Sequence, residues 1–223
     1  MFRFKGVLIC FTGIDGSGKT TLAKSIVEHY QRKGLPAKYV YARYQLKIAK
    51  PIVLIANKLF LRKYNLNTDY VQYKKQKQKL NQRFKILSSV YLYLLLMDYI
   101  IQLIYKIRMP LLQKKVIVCD RYIYDTIITD FAVDMNFSRE KTVQLLERCF
   151  SVISRPDLLF YVCVDENVAY NRKDDVPSVE YLIDRNKRYY DLLKEFDIEL
   201  LDGNLSREDV FLKCKRRIDH EFK

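Results

Sequence analysis

The chain has 223 residues, 49% of them hydrophobic, and forty Lys and Arg against twenty-six Asp and Glu give it a net charge of +14. That length supports one α/β domain with a full core, no repeat, low-complexity tail or Pro/Gly/Ser-rich linker divides it, and the cation excess favours anionic partners. Two histidines and five widely spaced cysteines without a C-x-x-C pair argue against histidine chemistry, a zinc set or a disulfide scaffold, and for reduced thiols in a cytoplasmic protein.

No long apolar run precedes the first strand in Met1-Phe2-Arg3-Phe4-Lys5-Gly6, so no secretory signal is expected. Val7–Phe11 is a short apolar run of the kind buried on both faces of a parallel sheet. Gly13-Ile14-Asp15-Gly16-Ser17-Gly18-Lys19-Thr20 follows it and fits the phosphate-binding pattern G-x-x-x-x-G-K-[ST]. An amphipathic helix then carries Leu22, Ile26 and Tyr30 on one face. Between strand and helix, backbone N–H groups can turn around phosphate oxygens, Lys19 can reach the β- and γ-phosphates, and the Thr20 hydroxyl can hold Mg²⁺. The nucleotide-binding set on this reading is Gly13, Asp15, Gly16, Ser17, Gly18, Lys19, Thr20 and Thr21.

Ala37–Tyr41 is the second predicted strand, and the stretch from about 45 to 108 is helical, with breaks expected near Asn65–Thr68. The basic runs Lys74–Lys79 and Lys213–Arg217 read as solvated helix faces, which argues against nucleic acid as a partner. Ile86–Tyr105 has the length and apolarity of a membrane span. Asp98, Gln102 and the paired serines instead favour a central helix wedged between the sheet and another helix or subunit.

The third strand, Val116–Cys119, runs into Asp120-Arg121-Tyr122. A carboxylate there, beside the P-loop strand, sits close to Mg²⁺ or its waters, and Arg121 can meet phosphate oxygens; taken alone, Asp120 could equally cap the next helix. Ser138 marks the start of the helix carrying Val143, Leu146 and Phe150. After the fourth strand, Leu158–Val164, Asp165 opens a helix through Arg172, and Lys173–Ser178 leads into a second helix with Arg185 and Arg188. This hairpin, at about 166–180, reads as a lid over phosphates or as an ordinary helix–helix turn. The fifth strand, Ile198–Leu201, ends in Asp202-Gly203-Asn204, where Asp202 and Asn204 can back an adenine ring, and Ser206 to Asp209 fits a capping box. Five such strands separated by helices predict a three-layer α/β fold with a five-stranded parallel sheet, whose ligands bind beyond the strands' carboxyl ends.

In order along nearly the whole chain, the P-loop Phe11–Thr21, Asp120-Arg121-Tyr122, Asp165–Arg172 and Leu201-Asp202-Gly203 resemble the thymidylate kinase family of P-loop nucleoside-monophosphate kinases. The resemblance implies ATP and Mg²⁺ as cofactors, Asp15 on the acceptor's sugar hydroxyl, Lys19 and Thr20 on ATP and Mg²⁺, and Asp120 with Arg121 on the acceptor and in catalysis. Gly16 stands where some members place an arginine, which implies a catalytic arginine from the lid, Arg172. The acceptor side departs from the family pattern. Arg43 is followed by Tyr44-Gln45-Leu46 instead of E-P-G-G, and the usual aromatic–arginine pair falls on Leu95 and Tyr99. No arginine lies between Arg83 and Arg108, which leaves Arg43, Lys47 and Arg121 as substitutes, with Tyr122 beside the acceptor. The expectation is one P-loop kinase domain over 1–223 that phosphorylates a nucleoside monophosphate, dTMP foremost, and forms a homodimer through the 86–105 helix. A kinase of another acceptor and a nucleotide-binding regulatory or membrane-associated module are the alternatives.

Overall fold

The computed structural model describes residues 6–45 and 70–221. In chain order the elements are β1 (Val7–Thr12), α1 (Lys19–Arg32), β2 (Ala37–Tyr41), α2 (Tyr70–Arg83), α3 (Lys85–Leu103), β3 (Val116–Asp120), α4 (Arg139–Phe150), β4 (Leu158–Cys163), α5 (Glu166–Asn171), α6 (Val179–Leu192), β5 (Glu199–Asp202) and α7 (Arg207–Glu221). A π-helical turn, Ile104–Arg108, continues α3, and a second, Asp125–Phe131, follows β3. All five predicted strands are present, with the third reaching Asp120 and the fifth starting one residue later than expected.

The strands form one all-parallel sheet in the order β2-β3-β1-β4-β5. Alternation along β1 sends Leu8 and Cys10 to one face and Ile9 and Phe11 to the other, so each face needs its own helical cover. On the first face α3, α4 and α6 bring Leu92, Tyr99, Leu146 and Tyr189. On the second, α1 and α7 bring Leu22, Ile26, Tyr30, Cys214 and Ile218. This is the three-layer α/β architecture expected from the sequence, and it gathers the carboxyl ends of β1, β3 and β4 at one edge.

The predicted helix starts are built as capping chemistry demands. Ser138 accepts from the Lys141 N–H, Ser178 from the Tyr181 N–H, and Asp165 from the N–H groups of Asn167 and Val168. At α7, Ser206 Oγ accepts from the Asp209 N–H at 3.1 Å and donates to its carboxylate at 2.6 Å. The long helical stretch is seen as α2 and α3 with a break at Phe84, whereas the expected break near Asn65–Thr68 lies outside the described residues.

With its extension, α3 forms a 28-residue helix, Lys85–Leu112, long and apolar enough to cross a membrane. It lies on the sheet by one face only. Leu92, Leu95, Leu96, Tyr99 and Leu103 are buried, while Ile86, Val90, Met97, Ile101 and Tyr105 are exposed, Ile86 by 83%. The polar residues that argued against a membrane span, Asp98 and Gln102, are buried on the core side: Asp98 accepts from the Tyr44 hydroxyl and from Gln102 Nε2, each at 3.1 Å.

Ser178 caps the helix that carries Arg185 and Tyr189. Ser178→Ala should cost about 1 kcal/mol of stability, read as a lower urea midpoint with an unchanged slope.

Candidate active site

The P-loop connects β1 to α1 through three glycines with positive φ, Gly13 at 144°, Gly16 at 82° and Gly18 at 88°. A Cβ at Gly13 would meet the Val162 carbonyl oxygen at 2.8 Å, and one at Gly16 would collide with the backbone of Ala169 in α5. The absence of a side chain at Gly16 is therefore what lets the start of the lid pack on the P-loop. Ile14 and Ala169 extend that contact with Val164, Val176, Tyr181 and Leu182 in a small satellite core. No side chain caps the first turn of α1, which leaves its N–H groups facing the loop's concave side. Lys19 Nζ curls back to the Ile14 carbonyl at 2.7 Å, Ser17 is buried, and Thr20 and Thr21 are exposed at the first turn.

Asp120 closes β3 and is fully buried. Its Oδ2 accepts from Thr20 Oγ1 at 2.6 Å and from the Tyr39 hydroxyl at 2.9 Å. Its Oδ1 has no hydrogen-bond partner among the described residues. A buried carboxylate oxygen without a donor, beside a threonine hydroxyl and the phosphate loop, fits a hard divalent cation such as Mg²⁺.

Arg121 follows in the left-handed region, φ 67°, held by its own N–H to the Phe11 carbonyl at 2.9 Å. Its guanidinium donates to Asp15 Oδ1 at 2.5 Å and to Asp125 Oδ1 at 2.8 Å, so it bridges the P-loop and the π-helical turn after β3. The other Asp125 oxygen takes the Tyr122 N–H and Thr12 Oγ1, and the Tyr189 hydroxyl of α6 lies 2.7 Å from that Thr12 oxygen. The back-bond from Thr129 Oγ1 to the Asp125 carbonyl sits inside the widened turn.

The expected acceptor residues divide. Arg43, just past β2, points Nη2 at Asp130, 3.2 Å away, and Arg185 of α6 lies 3.5 Å from the same carboxylate. Leu95 and Tyr122 are buried in the core, the Tyr122 hydroxyl donating to the Ser154 carbonyl. Tyr99 is buried as well, its hydroxyl on the Ala42 carbonyl. The face of α3 that carries Leu92, Leu95, Leu96, Tyr99 and Leu103 is turned into the sheet, which is why these positions are packed rather than open. Lys47 lies outside the described residues. In the lid, Arg172 donates to the Gly203 carbonyl at 3.2 Å, in the turn after β5 that packs against Ser17. At the end of β5, Asp202 Oδ1 accepts two bonds from Asn204, both 2.9 Å, which shapes that turn.

Sequence reasoning missed Asp125, Thr12, Tyr189, Tyr39, Asp130 and Lys173 as members of this site. Asp125 carried a usable signal, because it stands four residues after Arg121 at the spacing of a helical ion pair. The others are joined across 81 residues or more in the Tyr39–Asp120 and Thr12–Tyr189 contacts, and no local pattern reports such contacts.

The cations around Asp15 set its charge. Burial pushes its carboxyl up, but Arg121, then Lys19, Arg43 and Lys173, outweigh that and bring it down to about 2. Lys19 moves the other way: burial first, then Arg121, lower its ammonium to about 7. With a folded value near 7 and an unfolded value near 10, unfolding takes up a proton between them, so this group's contribution to stability rises with pH across that window. A phosphate beside Lys19 favours the charged form, so binding above pH 7 also takes up a proton. ADP affinity should fall as pH rises above 7, calorimetry in buffers of different ionisation heat should show proton uptake at pH 8, and Lys19→Arg should lose both effects.

Two family models match the sequence: one described as thymidylate kinase covers residues 69–210, and one described as nephrocystin 3, N-terminal, covers residues 5–105. A thymidylate kinase of Leptospira interrogans is 27% identical over 218 residues, 94% of this chain and 92% of the relative. Those of Plasmodium falciparum and Ligilactobacillus salivarius are 26% and 24% identical over 215 residues, 92% of this chain and 86% and 89% of theirs. With the parallel sheet, the P-loop and a family match over more than half its length, this chain belongs to the thymidylate kinase family of nucleotide kinases.

Proposed function

We propose that the protein transfers the γ-phosphoryl group of ATP to dTMP, giving dTDP and ADP. The observation that carries this reading is the convergence of Lys19, Arg121 and Lys173 on Asp15 at the mouth of the P-loop, a cation surplus where phosphates would meet.

A phosphate oxygen of dTMP attacks the γ-phosphorus in line as the bond to the bridging oxygen of ADP breaks, and the protein contributes mainly position and charge. Lys19 exchanges the Ile14 carbonyl for the β- and γ-phosphates. Arg121, already aimed by Asp15 and Asp125, neutralises oxygens of both reactants. Asp15 is ionised and can accept from the acceptor's sugar hydroxyl. Arg43 supplies a cation to the acceptor phosphate from the end of β2. Thr20 and Asp120 would hold Mg²⁺, which neutralises charge on the β- and γ-phosphates. Gly13, Gly16, Ser17 and Gly18 wrap the phosphates with backbone, and the Asp202–Asn204 turn backs the base of ATP. One cytoplasmic domain with a lid at 166–180 suffices for these roles.

ADP release from Mg-ATP should depend on dTMP and fall to the blank in Lys19→Ala, the folded variant losing at least about 1,000-fold. Turnover with another monophosphate or a free nucleoside instead of dTMP would reassign the acceptor, and normal turnover in Lys19→Ala would overturn the site.

The same reading pairs two copies through the exposed face of α3, where Ile86, Val90, Met97, Ile101 and Tyr105 form one apolar stripe. Sedimentation should show a dimer, and Met97→Asp should shift it to monomer; a wild-type monomer would refute the pairing.

A further inference from the structure

Family resemblance makes Arg172 the lid's catalytic cation, yet its guanidinium is bonded to the Gly203 carbonyl, at the turn after β5. The next residue meets the P-loop's own carboxylate. Lys173 Nζ lies 3.6 Å from Asp15 Oδ1, the same oxygen that accepts from Arg121, and 2.9 Å from Asp175 Oδ1. The backbone that presents Lys173 is anchored, because Ala169 packs on Gly16 and Val176 is buried in the satellite core with Ile14.

We propose that Lys173 is the lid's catalytic cation and that its contact with Asp15 is the resting half of an exchange. This rests on the phosphoryl-transfer reading above. Without phosphates, Asp15 is the nearest anion and holds the ammonium. When ATP and the acceptor bring several negative charges to the same place, the flexible stem of Lys173 carries the ammonium to the transferring group, and Asp15 is released to accept from the sugar hydroxyl. In the step itself the acceptor's phosphate oxygen forms a bond to the γ-phosphorus while the bond from that phosphorus to the bridging oxygen breaks. ADP leaves with the electron pair, and Lys173 keeps its proton. Asp175, largely exposed, is the second carboxylate on the Lys173 ammonium in the resting state.

The experiment compares Lys173→Met, Lys173→Arg and Arg172→Met by steady-state kinetics and by affinity for two probes, Mg-ADP alone and ADP with aluminium fluoride and dTMP. Lys173→Met should lower kcat about 100-fold while KM for ATP stays within about threefold. It should weaken the aluminium fluoride complex by a similar factor and leave Mg-ADP binding unchanged, and Lys173→Arg should recover most of the loss. The assignment is overturned if Lys173→Met keeps its kcat, if its loss is matched in Mg-ADP binding and not rescued by arginine, or if Arg172→Met takes the larger loss. A wild-type protein silent with every acceptor would overturn the phosphoryl-transfer reading and this assignment together, whereas an active wild type with an unaffected Lys173→Met removes this assignment alone.

Discussion

Arg121 is the residue on which the site's geometry depends. It is almost completely buried, in a backbone conformation unfavourable for a side chain with a Cβ, and it lies between two carboxylates from different parts of the chain. Removing Arg121 would leave the fully buried Asp125 carboxylate without its cation, a loss of roughly 3–5 kcal/mol where such pairs have been broken. The strand register makes the clamp possible. Phe11 stands opposite Asp120, so the chain leaving β3 bonds back to β1 and turns the guanidinium toward the P-loop. Asp15 is thereby held ionised and aimed, and Asp125 passes the constraint through Thr12 and Tyr189 to α6, the helix that follows the lid.

Tyrosine is the material of the surrounding network. The chain has 18 tyrosines and no tryptophan, and their phenols repeatedly end on carboxylates or carbonyls. Tyr39 meets Asp120, Tyr44 meets Asp98, Tyr70 meets Asp184 and Tyr30 meets Asp219. Such a side chain fills core volume with its ring and satisfies an acceptor with its hydroxyl, beside Thr20 at Asp120, beside Gln102 at Asp98 and beside a lysine at Asp184 and Asp219. Burial and the adjacent carboxylates push the Tyr39 and Tyr44 phenols well above their ordinary range, so both remain donors at neutral pH.

What the sequence made legible follows from locality. Strands buried on both faces read as continuous apolar runs, caps lie within three residues of their partners, and a P-loop is one contiguous motif, so the sheet, helix starts and nucleotide loop were all readable. Asp125 was readable only as the i+4 partner of Arg121, because its wider role depends on a π-helical turn and on Thr12, which is distant in sequence. The Leu95–Tyr99 register was readable as a pattern but not as a place, since α3 could present either face to the sheet. Lys173 and Arg172 are neighbours of like charge, and only the folded chain shows that one meets Asp15 and the other the Gly203 carbonyl.

The same packing explains how α3 can lack the arginine expected of its family. Arg43 from β2 and Arg185 from α6 share Asp130, two guanidiniums on one carboxylate, which leaves a surplus positive charge at the edge where α3 supplies none. Arg185 is stacked at 3.5 Å on the Tyr181 ring, and its buried Nε has no hydrogen-bond partner among the described residues, so this cation is positioned but not fully satisfied. Once charge comes from the flanking elements, α3 can be apolar along both faces. Its inner face is then packed against the sheet through Leu95 and Tyr99, with Asp98 and Gln102 tied to Tyr44 and Gln45 just past β2, and between Ile86 and Ile101 its outer face exposes no charged side chain. An α3 without arginine and an apolar stripe on its outer face are two consequences of one substitution pattern.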